Sequence, residues 1–171
     1  MAHRDSERGE SESTEPWREF KPGEFELGTD GPSAILVGVD DTVTAARAAW
    51  YAAGLARRQR ARMIAVFVMP TPMVLAPNPA AVSIVAAEAE AHEQVAAELR
   101  TRAEEVGREL GISVTFIAAH GDPYTEIRRV ANQMRADAIV VGASAKAGHK
   151  LVGSLAVRLV RAGKWPVTVV P

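Results

Sequence analysis

The stretch "AIVVGASAKAGHKLVGS", Ala138 to Ser154, decides how this chain is read. Three branched apolar residues, Ile139 to Val141, run into Gly142. Small and polar residues follow, then Gly148, Gly153 and Ser154, and then an apolar pattern at helical spacing. A short continuous apolar run bounded by glycine reads as a buried strand. The Gly-rich turn after it has two readings. It is either a seat for an anion, built from backbone N–H groups, or close packing of a loop against a helix.

Working outward, the same strand-then-helix alternation recurs. "AILVGV", Ala34 to Val39, is a buried strand, and Asp40, Asp41 and Thr42 offer a helix start after it. An Ala-rich helix then runs to about Arg60, and "MIAVFV", Met63 to Val68, is a second strand. Four prolines between Pro70 and Pro79 predict an irregular loop. A long helix is predicted over Ile84 to Leu110, because Val95, Leu99, Ala103, Val106 and Leu110 form one apolar stripe. Gly111 fits the position past its end.

"SVTFIA", Ser113 to Ala118, is the third strand. In "HGDPYTEI", Asp122 suits an N-cap and Pro123 the first helical position. Ile127, Val130, Ala131 and Met134 give that helix its buried face. The fourth strand ends at Val141–Gly142, the fourth helix is predicted over Lys146 to Gly163, and Val167 to Val170 is the last strand. Leu151, Val152, Leu155, Leu159 and Val160 are the expected core face of that last helix.

The order β-α-β-α-β-α-β-α-β, with strands apolar on both faces, predicts an α/β fold with a parallel sheet covered by helices. Right-handed crossovers leave only a few doubly wound orders. Ligands in such sheets bind beyond the strand C-termini where the strand order reverses. The crevice is therefore expected at Val39–Asp40 and Val141–Gly142, if the first and fourth strands are neighbours.

Composition narrows the function classes. The chain has 171 residues, enough for one domain and a tail, and no cysteine, which excludes disulfides, thiolate metal sites and cysteine catalysis. No apolar run is long enough to span a bilayer and no secretory h-region is present, so a cytoplasmic location is expected. Residues 1–31 carry nine acids against four bases and read as a disordered acidic tail; a segment that folds on a partner through Trp17, Phe20 and Phe25 is the alternative. The domain, residues 32–171, is then mildly basic. That suits small anions, but no basic run interleaved with aromatics points to nucleic acid. GxxxxGK[ST] and GxGxxG are both missing, and His3, His92, His120 and His149 have no metal-ligand spacing. Ser144 misses the nucleophile-elbow pattern at its last position.

"ILVGVDDT", the "HGDP" helix start and "IVVGASAKAGHKLVGSLAVRLVRAGKWPVTVV" together resemble the universal stress protein family over Ser33 to Pro171. The resemblance implies a Rossmann-like, three-layer, doubly wound sheet of five parallel strands in the order 3-2-1-4-5. It also implies a homodimer paired through the last strands. An apolar edge at Val167 to Val170 agrees with that, because such edges are usually covered or paired.

Nucleotide-binding members resemble one loop pattern: Gly, two residues, Gly, nine residues, then Gly and Ser or Thr. This chain has Gly142, then Ala145 in place of the second Gly, then Gly153 and Ser154 after seven residues. The resemblance implies an adenine nucleotide, such as ATP, ADP or AMP, between strands one and four. Asp40 would contact the adenosine moiety and Val68 would pack by the adenine. Val39 and Val141 would line the crevice, and Gly142, Ala145, Gly153, Ser154 and Leu155 would form the phosphate side. Mg²⁺ would come with the phosphates, on the single carboxylate of Asp40. Lys146 and His149, inside the loop, and the row Lys150, Ser154, Arg158 and Arg161 are either a cationic rim or a solvated face. For Asp40 the alternative role is an N-cap, shared with Asp41 or Thr42. His120 reads as a turn residue.

The leading expectation is a regulatory binding module with at most slow ATP hydrolysis, since no base to activate water is visible. The rival is a protein-interaction dimer of the same family that binds no nucleotide. A hydrolase using Ser144 is a third class.

Overall fold

The computed structural model describes residues 33–71, 79–143 and 154–171. Residues 1–32, 72–78 and 144–153 lie outside the described residues, and with them the expected start of the fourth helix at Lys146 and its expected core residues Leu151 and Val152. The elements are β1 (Ala34–Val39), α1 (Val43–Gln59), β2 (Arg62–Met69), α2 (Pro79–Leu110), β3 (Val114–His120), α3 (Pro123–Gln133), β4 (Ala138–Gly142), α4 (Ser154–Ala162) and β5 (Val167–Val170). They form one parallel sheet in the order β3-β2-β1-β4-β5. β1 and β4 are neighbours, with Ile35 opposite Ala138 and Val37 opposite Val140. The strand order reverses there, as the crevice argument required.

The unbroken apolar strands are explained by burial on both faces. In β1, Ile35 and Val37 pack with the alanines of α1, while Ala34 and Leu36 pack with Ile127, Val130 and Leu159 on the opposite face. β2 divides in the same way, Met63 and Ala65 against Ile64 and Val66. α1 presents Ala45, Ala48, Ala52, Ala53 and Ala56 to the sheet, all buried. Such small side chains let a helix lie close to the strands.

Local signals set the helix starts. Thr42 is the N-cap of α1, its Oγ1 accepting from the Ala45 N–H at 3.1 Å. Asp122 caps α3 by accepting from the Thr125 N–H at 3.0 Å and hydroxyl at 2.8 Å, and Pro123 occupies the first turn. Each cap satisfies a donor that the helix itself leaves free.

The structure corrects the sequence reading in three places. α2 begins at Pro79, not Ile84. Its opening turns leave Val82 and Ile84 49% and 61% exposed, so they have no buried stripe to detect. β2 and β3 run to Met69 and His120, past Val68 and Ala118, because parallel pairing of Met69 with His120 carries both strands on. Val160 is 55% exposed and not part of the core face of α4. Ala156 and Leu159 are buried and Leu155 packs against them, whereas Val160 is turned about 100° from Leu159.

The far end of β1 is anchored by a residue that sequence reasoning passed over. The Asp137 Oδ2 accepts from the Ser33 N–H at 2.9 Å, the Ser33 hydroxyl at 3.0 Å and the Ala34 N–H at 2.8 Å. The Asp137 N–H donates back to the Ala34 carbonyl at 2.8 Å. This clamp ties the start of β1 to the turn that feeds β4.

Candidate functional site

A cleft of about 560 Å³ opens at the C-terminal ends of β1 and β4, within the usual range for small-molecule sites. Val39, Asp40, Val68, Val141, Gly142 and Leu155 all line it, so the structure brings together six of the nine expected site residues. Ser154 opens the helix that supplies Leu155. Ala145 and Gly153 lie outside the described residues, as do Lys146, His149 and Lys150.

The cleft also has a wall that sequence reasoning missed. Pro123 and Ile127 of α3 line it, with Val66 from β2 and Ala156 from α4. α3 packs closely on β1 here: a Cβ on Gly38 would meet Ile127 Cδ1 at 3.3 Å and Val141 Cγ1 at 3.5 Å. The interior is thus an apolar seat formed by Val39, Val66, Val68, Ile127 and Leu155.

At the mouth, Asp40 Oδ1 accepts from the Thr42 N–H at 2.9 Å and from its hydroxyl at 2.5 Å. Asp40 therefore braces the cap residue, while Thr42 makes the cap itself. Among the described residues none donates to Asp40 Oδ2, and the side chain is exposed. One carboxylate oxygen is held by the fold and the other is open to a ligand.

Gly142 has a definite packing role. A Cβ on Gly142 would lie 2.6 Å from the Thr44 carbonyl carbon, 2.8 Å from the Ala45 nitrogen and 2.8 Å from the Thr44 oxygen. The close approach that requires glycine here is to the backbone of α1. Of the two readings of the turn, packing is what the described residues display at this position.

The described charges around the cleft are carboxylates, Asp40 and Asp41. Arg158, a candidate for a cationic rim, is engaged elsewhere. Its Nη1 pairs with Asp122 Oδ1 at 3.2 Å, and its guanidinium lies 4.0 Å from the centre of the Tyr124 ring. The Asp122 carboxyl is held below its ordinary value, chiefly by the hydroxyl and N–H of Thr125, with a smaller contribution from Arg158. His120 ends β3 and its Nε2 lies 3.8 Å from Glu93 Oε1, so it is a strand residue facing α2. The backbone contributes charge of the opposite sign: α1, α3 and α4 all start at this edge of the sheet. Each helix N-terminus carries roughly half a positive charge. Among the described residues no group of three or more metal-ligating side chains occurs, and no helix is long and apolar enough to cross a membrane.

The model of the universal stress protein family matches residues 33–171. No curated protein sequence matches the chain. Among solved structures, the universal stress protein UspA from Lactobacillus plantarum is similar with a TM-score of 0.67 and 26% identity, over 81% of this chain and 97% of that one. A universal stress protein solved in complex with cAMP is similar with a TM-score of 0.62 and 19% identity, over 82% of this chain and 97% of the other. The universal stress protein from Archaeoglobus fulgidus in complex with dAMP is similar with a TM-score of 0.55 and 21% identity, over 81% and 97%. The last two likenesses are of fold. With the family match spanning all the described strands and helices, this chain belongs to the universal stress protein family.

Proposed function

We propose that the protein binds an adenine nucleotide in the cleft between β1 and β4 and acts as a regulatory module that responds to it. The observation that carries this reading is the cleft itself. It sits at the switch point of the sheet, with an apolar seat, an open carboxylate oxygen on Asp40 and three helix N-termini at one edge. The cAMP and dAMP complexes of structural neighbours support the ligand class. The base would pack on Val39 and Val68, and Asp40 Oδ2 would accept from ribose hydroxyls. Phosphates would meet the N-terminus of α4 at Ser154 and the loop from Gly142 through Ala145 to Gly153. Mg²⁺, where it accompanies the phosphates, would take Asp40 as its protein ligand and fill its remaining positions with phosphate oxygens and water.

The dimer belongs to the same proposal. Among the described residues β5 pairs with β4 alone, and Val167, Val169 and Val170 are half-buried at the free edge. Pairing of two such edges would satisfy their backbone groups. Residues 1–31 would extend from this unit as an acidic appendage, in a protein of the cytoplasm.

Titration calorimetry with ATP, ADP, AMP and cAMP, with and without Mg²⁺, tests the reading. At least one should bind with a dissociation constant below about 1 mM, and Asp40→Ala should weaken it about tenfold or more. Silence from all four ligands at that concentration would sink it. The protein-interaction reading would then stand, favoured by Ala145, the loop two residues short of the nucleotide-binding pattern and the packing role of Gly142.

A further inference from the structure

A second cavity, of about 500 Å³, lies between α1 and α2 on the other face of the sheet. Its floor is Val39, Met63 and Ala65, and its walls are Ala45, Ala49 and Trp50 of α1 and Val95, Leu99 and Val106 of α2. Trp50 is 56% exposed, and Val95, Leu99 and Val106 are only half-buried, so a continuous apolar surface is open along this groove. The rim is predominantly acidic. Asp40, Asp41, Glu98, Glu105 and Glu109 line it against the single guanidinium of Arg102. Glu98, Glu105 and Glu109 are seven and four residues apart, which sets them along one edge of α2. From Val95 to Glu109 that edge is about 21 Å long at 1.5 Å per residue.

We propose that this groove docks a cationic amphipathic helix from a partner protein, four turns or so in length. The apolar face of such a helix would cover Trp50, Leu99 and Val106. Its lysines or arginines, spaced at four and seven residues, would run beside Glu98, Glu105 and Glu109. Charge selects this occupant over the chain's own N-terminal segment. That segment offers Trp17, Phe20 and Phe25, but residues 1–31 carry nine acids against four bases and meet a rim of their own sign.

The test uses the full chain and two labelled synthetic helical peptides of about 15 residues, one with leucine and lysine faces and one with leucine and glutamate faces. Fluorescence anisotropy should show the lysine peptide binding with a micromolar dissociation constant, and the glutamate peptide at least about tenfold more weakly. The variant E98Q/E105Q/E109Q should weaken the lysine peptide about tenfold, and Trp50→Ala about threefold or more. None of these four side chains lines the nucleotide cleft, so nucleotide calorimetry on the same variants reports separately on that site. Equal binding of the two peptides, no binding at about 100 μM, or affinity within about twofold of wild type in the triple variant overturns the proposal. A groove filled by a second copy gives the second of these outcomes, with a sedimentation coefficient that rises with concentration.

Discussion

Gly142→Ala is the sharpest test of how the cleft is built. The added methyl would lie 2.6 Å from the Thr44 carbonyl carbon and 2.8 Å from two further atoms of the α1 backbone. A comfortable carbon–carbon contact needs about 3.5 Å or more. The first turn of α1 and the end of β4 would therefore have to separate by about 1 Å. No side-chain rotation relieves the clash, because all three atoms are main chain. Overpacking of this kind costs about 1–3 kcal/mol, and main-chain clashes fall at the upper end. Alanine recovers about 0.4–1 kcal/mol by restricting the unfolded chain. The net loss should be about 2 kcal/mol, which for a domain of this size lowers Tm by about 4–8 °C. Gly54→Ala, in the middle of α1, is the control. Its Cβ would meet only the Arg58 Nη1 at 3.4 Å, the end of a flexible side chain. It should stabilise the protein by about 0.5–1 kcal/mol. Urea unfolding of both variants gives the comparison. A Gly142→Ala protein as stable as wild type would refute the packing argument. If that protein had also lost nucleotide affinity, the glycine would be there for the phosphate.

Two further outcomes follow from particular contacts. Asp137→Ala removes one carboxylate oxygen that accepts three hydrogen bonds at the start of β1, so it should cost about 2 kcal/mol, read as a shifted urea midpoint with unchanged slope; an unshifted midpoint would mean that the clamp contributes nothing. Asp122 has its folded-state pKa below the unfolded value, so its contribution is complete above the unfolded pKa of about 3.9 and is lost as pH falls through the folded value. Wild type should therefore lose more stability between about pH 5 and pH 3 than Asp122→Asn does, by a small margin because the group is exposed. Equal losses in the two proteins would contradict the assignment.

Much of the fold was legible because its signals are local. A strand buried on both faces must be apolar throughout, and Ala34–Val39 and Ala138–Gly142 are. A helix start needs an acceptor for its free N–H groups, and Thr42 and Asp122 were readable as such. Six of the expected site residues meet in one cleft because strand ends are visible in sequence and parallel topology gathers them at one edge. The start of α2 was illegible for the converse reason: Val82 and Ile84 are exposed, so no buried stripe marks a period there.

What only the tertiary structure decided concerns partners distant in sequence. Gly142 reads in sequence as a phosphate-facing or a packing glycine, and the nearness of Thr44 and Ala45 shows what it packs against. Arg158 reads as one cation on a helix face, but Asp122 and Tyr124, from the preceding helix, engage it. Val160 has the hydropathy of a core residue and points away from the core, since one step around a helix changes its neighbours entirely. The groove between α1 and α2 has no counterpart in any single segment: its floor, walls and acidic rim come from four elements and the turn after β1. Strands, caps and strand ends follow from the residues within each element, whereas the crevice also needed β1 and β4 to be neighbours. Which atoms meet across those elements depends on how they pack, and that is written in three dimensions.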